Sequence, residues 1–472
     1  MASVRNNPRP YAAAAALLTG IFLYFGSGLH TIPALTWFAP LPVLLVAPAL
    51  SKRLAAVTAF IGWSLGLANL WSYLLTDLEL PPAAMGFLAL LAGVFTLTVL
   101  LFRALILRRR FLLAAVAAPA SWAAADYLIT LVSPHGAFTS LAYTQADVHP
   151  IAQILSLTGV WGLSFLLLTP AAAIAVMAHA PRRTGLQAVA ALTIVALGTI
   201  GYGAWRLGGD APAQAVKVAI ISASNGEDDT RWTGPSGPGI LSTYAQQIGT
   251  AAAAGAKVVV LPEKFIDVDA TALPDLQSRL QKIATSNGVE LVVGLTVFGD
   301  QGNDYNRALV FHPAGGQPLS YDKHHLIPGI EPYASGDHIA LMGSWGVLIC
   351  KDLDFPALAR QYGQSKADLL LVPALDFDND GWLHSRHALL RGIENGIPIA
   401  RNGSQGLLTL SDPYGRVTSQ VAAATGDTAV LLGNIRPGID STLYTKWGDW
   451  FGWLSCGLVV LGLGALRLGK RA

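Results

Sequence analysis

The chain has 472 residues, 53% of them hydrophobic and only 13% charged, with a mean hydropathy of +0.47. Apolar excess of this size excludes an ordinary soluble globular protein and implies a membrane protein with a soluble part. The net charge is +2, and the basic residues form short scattered clusters rather than a stripe, which argues against a nucleic-acid partner.

From Tyr11 to Leu50 there is no Asp, Glu, Lys or Arg. At roughly 20 residues per crossing of a hydrocarbon core about 30 Å thick, that run is long enough for two spans. Further charge-poor runs follow at 54–75, 83–107, 111–132, 155–178, 186–207 and 450–466. These runs are apolar nearly all round, whereas buried helices of a soluble protein would show polar faces at helical spacing. A cleaved signal peptide does not fit, because the first apolar run leads straight into the second without a cleavage signal.

Short loops rich in Lys and Arg stay on the cytoplasmic side. Arg5 and Arg9 precede the first span, and Lys52 with Arg53, Arg108 to Arg110, and Arg182 with Arg183 fill every second loop, while the intervening loops carry no Lys or Arg. Seven spans that start inside leave the chain outside. Arg467, Lys470 and Arg471 after the eighth place the C-terminus inside again. The expected organisation is a seven-helix transmembrane domain over 1–207, an extracytoplasmic domain over 208–446, and a last transmembrane helix with a basic cytoplasmic tail over 447–472.

Beyond Val216 the sequence changes to short β-rich runs alternating with helical stretches, the texture of an α/β domain. Strands are expected in "VKVAIIS", "AKVVVLPE", "VELVVGLTVF", "NRALVFHP", "WGVLICKD", "DLLLVPAL", "IPIARN", "GLLTLSDP" and "AVLLGNI". Helices are expected over 241–254, 273–286, 355–362 and 382–394, with Gly255, Gly288 and Gly396 at stop positions. The Gly/Pro-rich "TGPSGPG" at 233–239 reads as a loop.

The chain has two cysteines, Cys350 in the soluble part and Cys456 in the last span, which are not expected to pair. An unpaired thiol outside the cytoplasm is a liability unless it is used; the bland alternative is a small inert core residue. Glu263, Lys323 and Cys350 all stand at or near the ends of apolar runs, where α/β enzymes carry reactive groups. Taken singly, the two charges read as solvated loop residues. Together the three form a chemical set: a thiol that attacks as thiolate, a carboxylate that takes its proton, and an ammonium that steadies both anions and a developing oxyanion. The sequence has no HExxH motif, paired CxxC, P-loop or GxSxG elbow, so neither a metal nor another cofactor is expected.

"LPEK", "YDKHHLIPGIEPY" and "ICKDLDFP", in that order, resemble the Glu, Lys and Cys motifs of the nitrilase or carbon-nitrogen hydrolase superfamily, as does "NDGWLHSRHALLRGIENGIPIARNGSQGLLTLSDPYGRV" downstream. With the spans, "TLYTKWGDWFGWL" and "HGAFTSLAYTQADVHPIAQILSLTGVWGLSFL", nearly the whole chain resembles the apolipoprotein N-acyltransferase family, the membrane branch of that superfamily. The resemblance implies a polytopic helical membrane bundle with an αββα sandwich domain, in a bacterial cytoplasmic (inner) membrane. It further implies ping-pong transfer of a fatty acyl chain from a phospholipid, through a cysteine thioester, to the α-amine of a diacylglyceryl-cysteine at a lipoprotein N-terminus, carried out by a monomer.

By resemblance, Cys350 is the nucleophile, Glu263 the general base and later acid, Lys323 the oxyanion stabiliser, and Glu331 a second glutamate supporting the lysine and the amine. Asp352 stands where the family usually has Glu, and a strand's period of two puts it on the face of Cys350. Trp232 matches a tryptophan on a substrate-gating arm. Lys351 replaces a usual aromatic, which would alter an acyl or head-group pocket, although its backbone N–H remains available to an oxyanion hole. Asp126, in the fifth span, replaces a Glu with a nearby Arg, and either has an intramembrane role or reaches the outer interface. Two alternatives stand beside the transferase: a membrane-tethered amidase or nitrilase that passes its acyl group to water, and a non-catalytic lipid-binding protein on the same fold.

Overall fold

A computed structural model describes residues 4, 6–209, 214–223, 230–299, 302–438 and 441–468. Arg5, Lys470 and Arg471, which entered the orientation argument, lie outside these residues. The chain divides into two compact units. One comprises 1–133, 139–208 and 447–472; the other comprises 209–446 together with the five residues Pro134–Phe138.

The first unit is a bundle of apolar helices. Six among the described residues are long and apolar enough to cross a membrane: Lys52–Leu70, Met85–Leu107, Phe111–Val132, Val160–His179, Arg182–Leu207 and Trp450–Arg467. The first expected span forms the 19-residue helix Pro8–Gly26. The second, Pro33–Ala49, is shorter and breaks at Pro40 into two six-residue pieces, because proline supplies no N–H and its ring clashes with the preceding turn. Helix packing uses small residues where backbones approach: a Cβ on Gly66 would lie 2.4 Å from the Cβ of Leu23. Asp126, in the helix Phe111–Val132, is half-buried. Its Oδ2 accepts from Ser140 Oγ at 2.7 Å and Ser164 Oγ at 2.6 Å, since a partly desolvated carboxyl side chain is stable only against donors.

The second unit is a two-sheet sandwich. Its first sheet runs in the order β13 (Thr428–Ile435), β1 (Val216–Ala223), β2 (Val258–Val260), β4 (Glu290–Phe298), β5 (Tyr305–Phe311), β6 (Leu319–Asp322), with β3 (Ile266–Asp269) also paired to β4. The second runs β12 (Val417–Ala422), β11 (Leu407–Ser411), β10 (Ile399–Ser404), β9 (Leu369–Leu375), β8 (Trp345–Val347), β7 (Ala340–Met342). Each sheet has a parallel centre, β1–β2–β4 and β8–β9–β10, flanked by antiparallel strands. The period of two sorts the side chains. Val218, Ile220, Val258 and Val260 enter the core between the sheets, whereas Ala219, Ile221 and Val259 enter a second core under helices Gly237–Ala253 and Leu273–Asn287. Helices Pro356–Gln364 and Gly381–Asn395 complete the αββα order on the other sheet. Gly288 and Gly396 end their helices in the left-handed region, at φ of +61 and +70°, as C-terminal stops require.

Two local expectations are corrected. Part of "TGPSGPG" is helical, the helix starting at Gly237 because Pro238 fits a first turn. The strand expected through Cys350 ends at Val347, and Cys350–Asp354 form a 3₁₀ turn. Asp352 therefore does not share a strand face with Cys350.

Helix packing in the first unit predicts opposite outcomes at two glycines. Gly66→Val should lower the melting temperature of the detergent-solubilised protein, overpacking costing about 1–3 kcal/mol. Gly93→Ala, with nothing within 4 Å of the added Cβ, should leave it unchanged or raise it, by up to about 1 kcal/mol of helix propensity.

Candidate active site

Four chain segments end where the polar residues gather. Glu263 follows β2, Lys323 follows β6, Cys350 lies three residues past β8, and Leu375 closes β9. The parallel centres of both sheets thus present their C-terminal ends to one spot, the arrangement that places ligands in open α/β sheets.

Lys323 is its hub. The residue is 1% exposed, and its Nζ donates to Glu263 Oε1 at 2.8 Å and to both oxygens of Glu331, at 3.0 and 2.9 Å. Burial works against the ammonium, yet the carboxylates of Glu263 and Glu331 hold its pKa well above that of an ordinary lysine. Glu263 is balanced in the opposite sense. Burial pushes its pKa up, but Lys323, Lys264 and a hydrogen bond from Asn306 outweigh that and hold it at about 2. Its carboxylate takes two further donors, Asn306 Nδ2 to Oε1 at 2.6 Å and the Leu375 N–H to Oε2 at 2.9 Å, which leaves acceptor capacity on Oε2. Asn306 also donates to Glu331 Oε1 at 2.9 Å, and the Ile327 N–H to Glu331 Oε2 at 2.8 Å. Lys264 adds a second cation 3.6 Å from Glu331.

Leu375 joins the carboxylate to the thiol. Its N–H donates to Glu263, and its carbonyl accepts from Cys350 Sγ at 3.7 Å. Burial and the nearby Glu263 raise the Cys350 pKa well above 9, against the pull of Lys323 and Arg401. At rest the site therefore holds a neutral thiol beside an ionised carboxylate, and proton transfer must accompany attack. Cys350 itself has φ +44°, a left-handed conformation that costs a non-glycine residue about 1–3 kcal/mol and persists only where its surroundings over-determine it.

Asp352 is part of what fixes that turn. Its Oδ2 accepts from Tyr321 Oη at 2.7 Å and the Ile349 N–H at 3.1 Å, and its Oδ1 accepts from the His325 N–H at 2.9 Å. It thereby ties the lysine loop to the cysteine turn. Burial lifts its pKa to about 6 despite these donors.

Glu263, Lys323, Cys350 and Glu331 thus come together, with Asp352 fastening the turn. Lys351 is adjacent in sequence, but its Nζ donates to the carbonyl of Pro134 and lies 5.2 Å from the Phe355 ring centre. Trp232 does not join them. It is buried in the core under the helices, its Nε1 donating to Asp275 Oδ2 at 3.2 Å. Asn306, Tyr321 and Leu375 escaped sequence reading. Asn306 lies in an apolar strand among ordinary β-formers, and its only signal was a polar side chain at a position that a strand of this sandwich buries.

The hub predicts a pH signature for Lys323→Met. Removing the ammonium leaves two buried carboxylates without it, a loss of about 3–5 kcal/mol. In the native protein the depressed Glu263 pKa gives stability that is complete above the unfolded value near 4.5 and is lost as pH falls toward 2. In the variant, burial without Lys323 raises that pKa above 4.5, so stability is complete below 4.5 and lost as pH rises. Melting curves at pH 7 and 5 should show the variant gaining more stability on acidification than the native protein, whose gain over that range comes from groups such as Asp352 and not from Glu263.

Known proteins resemble this chain in both of its parts. Residues 217–436 match the carbon-nitrogen hydrolase family and residues 14–174 match the apolipoprotein N-acyltransferase N-terminal domain. Apolipoprotein N-acyltransferase of Geobacter metallireducens is 26% identical, with 93% of this chain and 92% of the relative covered; that of Haemophilus ducreyi is 27% identical, with 86% and 87% covered. Among solved structures, Nit3 of Saccharomyces cerevisiae, a member of branch 10 of the nitrilase superfamily, is 21% identical and covers 48% of this chain and 93% of its own, with a TM-score of 0.41. The soluble unit matches one hydrolase family from its first strand to its last, and the apolar helices before it match the membrane domain that one branch adds. The chain belongs to the apolipoprotein N-acyltransferase family, the membrane branch of the carbon-nitrogen hydrolases.

Proposed function

We propose that this multi-pass inner-membrane N-acyltransferase moves a fatty acyl chain from a phospholipid to the α-amine of a lipoprotein's N-terminal diacylglyceryl-cysteine, with Cys350 carrying the chain between them as a thioester. The observation that carries this reading is the single buried ammonium of Lys323 shared by Glu263 and Glu331, with the Leu375 peptide linking Glu263 to the thiol.

The first half-reaction begins when Glu263 takes the thiol proton as Sγ attacks the ester carbonyl carbon. The C–S bond forms, the carbonyl electrons move onto oxygen, and Lys323 steadies the resulting oxyanion. Collapse breaks the carbon–oxygen bond to glycerol, and the proton on Glu263 passes to the leaving alkoxide, releasing a lysophospholipid. In the second half, the amine attacks the thioester and a C–N bond replaces C–S. Glu263 accepts the amine proton and returns it to the departing sulfur.

The chain's apolar helices support a lipid-borne donor and acceptor, because one inserted helix suffices as an anchor and this chain has six of spanning length and apolarity among its described residues. Eight spans, both termini in the cytoplasm, an extracytoplasmic catalytic domain and a monomeric state complete the proposal, resting on the alternation of basic loops and on resemblance.

Purified protein incubated with phospholipid alone should gain the mass of one acyl chain. Cys350→Ala should abolish the adduct and Cys456→Ala should keep it. Adding a diacylated lipopeptide should discharge the chain onto its amine. Free fatty acid with no acylated amine would overturn the transferase reading in favour of hydrolysis.

A further inference from the structure

One short segment departs from the division of the sequence into membrane and soluble parts. Pro134–Phe138 follows the apolar helix Phe111–Val132 directly, yet it clusters with the catalytic unit. Four of its five residues bear on the turn that carries the nucleophile. The Pro134 carbonyl accepts from Lys351 Nζ. Gly136 passes so close that an added Cβ would sit 2.5 Å from the Asp354 carbonyl oxygen, at a φ of +52°. The Ala137 N–H donates to that same oxygen at 2.8 Å. The Phe138 ring lies 5.9 and 5.8 Å from the rings of His384 and His387, and His387 Nδ1 is 2.9 Å from Asp354 Oδ1.

Both ends of the Cys350–Asp354 turn are therefore fastened to this strap, the front through the Lys351 side chain and the back through the Asp354 carbonyl and carboxylate. The turn needs fastening, because the positive φ of Cys350 holds only where neighbouring contacts enforce it. The side chain of Lys351 is also costly to bury, which its lowered pKa records. An ammonium placed against a backbone carbonyl and an aromatic face, rather than in water, is retained for the contact it makes.

We infer that Pro134–Phe138 is a positioning strap for the nucleophile, and that Lys351 and Asp354 are the positioning residues through which it sets the geometry of Cys350. This rests on the reading of Cys350 as the acyl carrier. The strap acts on the rate of acylation and not on the affinity for the donor lipid.

The test uses the full-length protein in detergent with phosphatidylethanolamine, following acyl-adduct formation by intact mass against lipid concentration. Lys351→Met keeps the aliphatic stem and removes the tie to Pro134; Gly136→Ala pushes the strap off Asp354 from the other side. Each should lower the maximal rate by about 100-fold, the usual consequence of a misplacement of about 1 Å, with the half-saturating lipid concentration unchanged. Lys351→Arg, which can still donate to the carbonyl, should recover most of the rate. Wild-type rates in Lys351→Met and Gly136→Ala overturn the inference, as does a loss confined to half-saturation, or an Arg variant no better than Met. Should Gly136→Ala fail to fold, the Lys351 pair decides alone. An adduct that survives Cys350→Ala refutes the carrier assignment instead, so the two failures are distinguishable.

Discussion

A single ammonium shared between two carboxylates, all three sealed from water, is the constraint on which the rest of the site depends. Lys323, Glu263 and Glu331 are each at most 6% exposed. Buried charges of this kind are tolerable only with near-complete hydrogen bonding, which explains why Asn306, the Ile327 N–H and the Leu375 N–H all point at them. The cluster carries one more negative charge than positive among these three groups, and Lys264 at 3.6 Å from Glu331 offsets it. Glu331 has a physical task even without touching a substrate: it shares Lys323 with Glu263.

The same balance decides the state of sulfur. A thiolate beside Glu263 would place like charges together in a low-dielectric pocket, and burial already disfavours it. A neutral resting thiol is protected from adventitious oxidation and alkylation, to which a standing thiolate would be open. On the proposed mechanism, attack would require the carbonyl carbon to arrive as the proton leaves, which would tie chemistry to the presence of the acyl donor. The proposed thioester would yield to whichever nucleophile reached it first, and an amine carried on a lipid would have the advantage of proximity over water only in a site that excludes water.

Much of this was legible in sequence, for reasons that can be named. Polar groups at strand ends show as charges or thiols closing an apolar run, which is how Glu263, Lys323 and Cys350 were singled out; strand and helix texture gave an α/β domain, and the αββα order came only with the resemblance. What the sequence hid depends on contacts between distant segments. Asn306 looked like one polar residue in a strand, and its role appears only when β5 lies beside Glu263, 43 positions earlier in the chain. Asp352 was assigned to the face of Cys350 by strand period, but the chain leaves the strand at Val347 and turns, so its carboxylate binds the Ile349 and His325 N–H groups and Tyr321. The resemblance implied for Lys351 an altered contact in an acyl or head-group pocket, and nothing in sequence pointed to the partner its amine has, the carbonyl of Pro134, 217 positions away. Trp232 matched a motif position by type alone, and the structure gives its indole to the core and Asp275.

The most direct test of this account is the protonation state of Cys350 at rest, read from the infrared S–H stretching band in a Cys456→Ala background at pH 7. The account predicts an S–H band that disappears when Cys350 is also replaced by Ala. Absence of the band in the Cys456→Ala protein would mean that sulfur rests as thiolate, and would contradict the claim that Glu263, braced by Lys323, takes its proton only during attack.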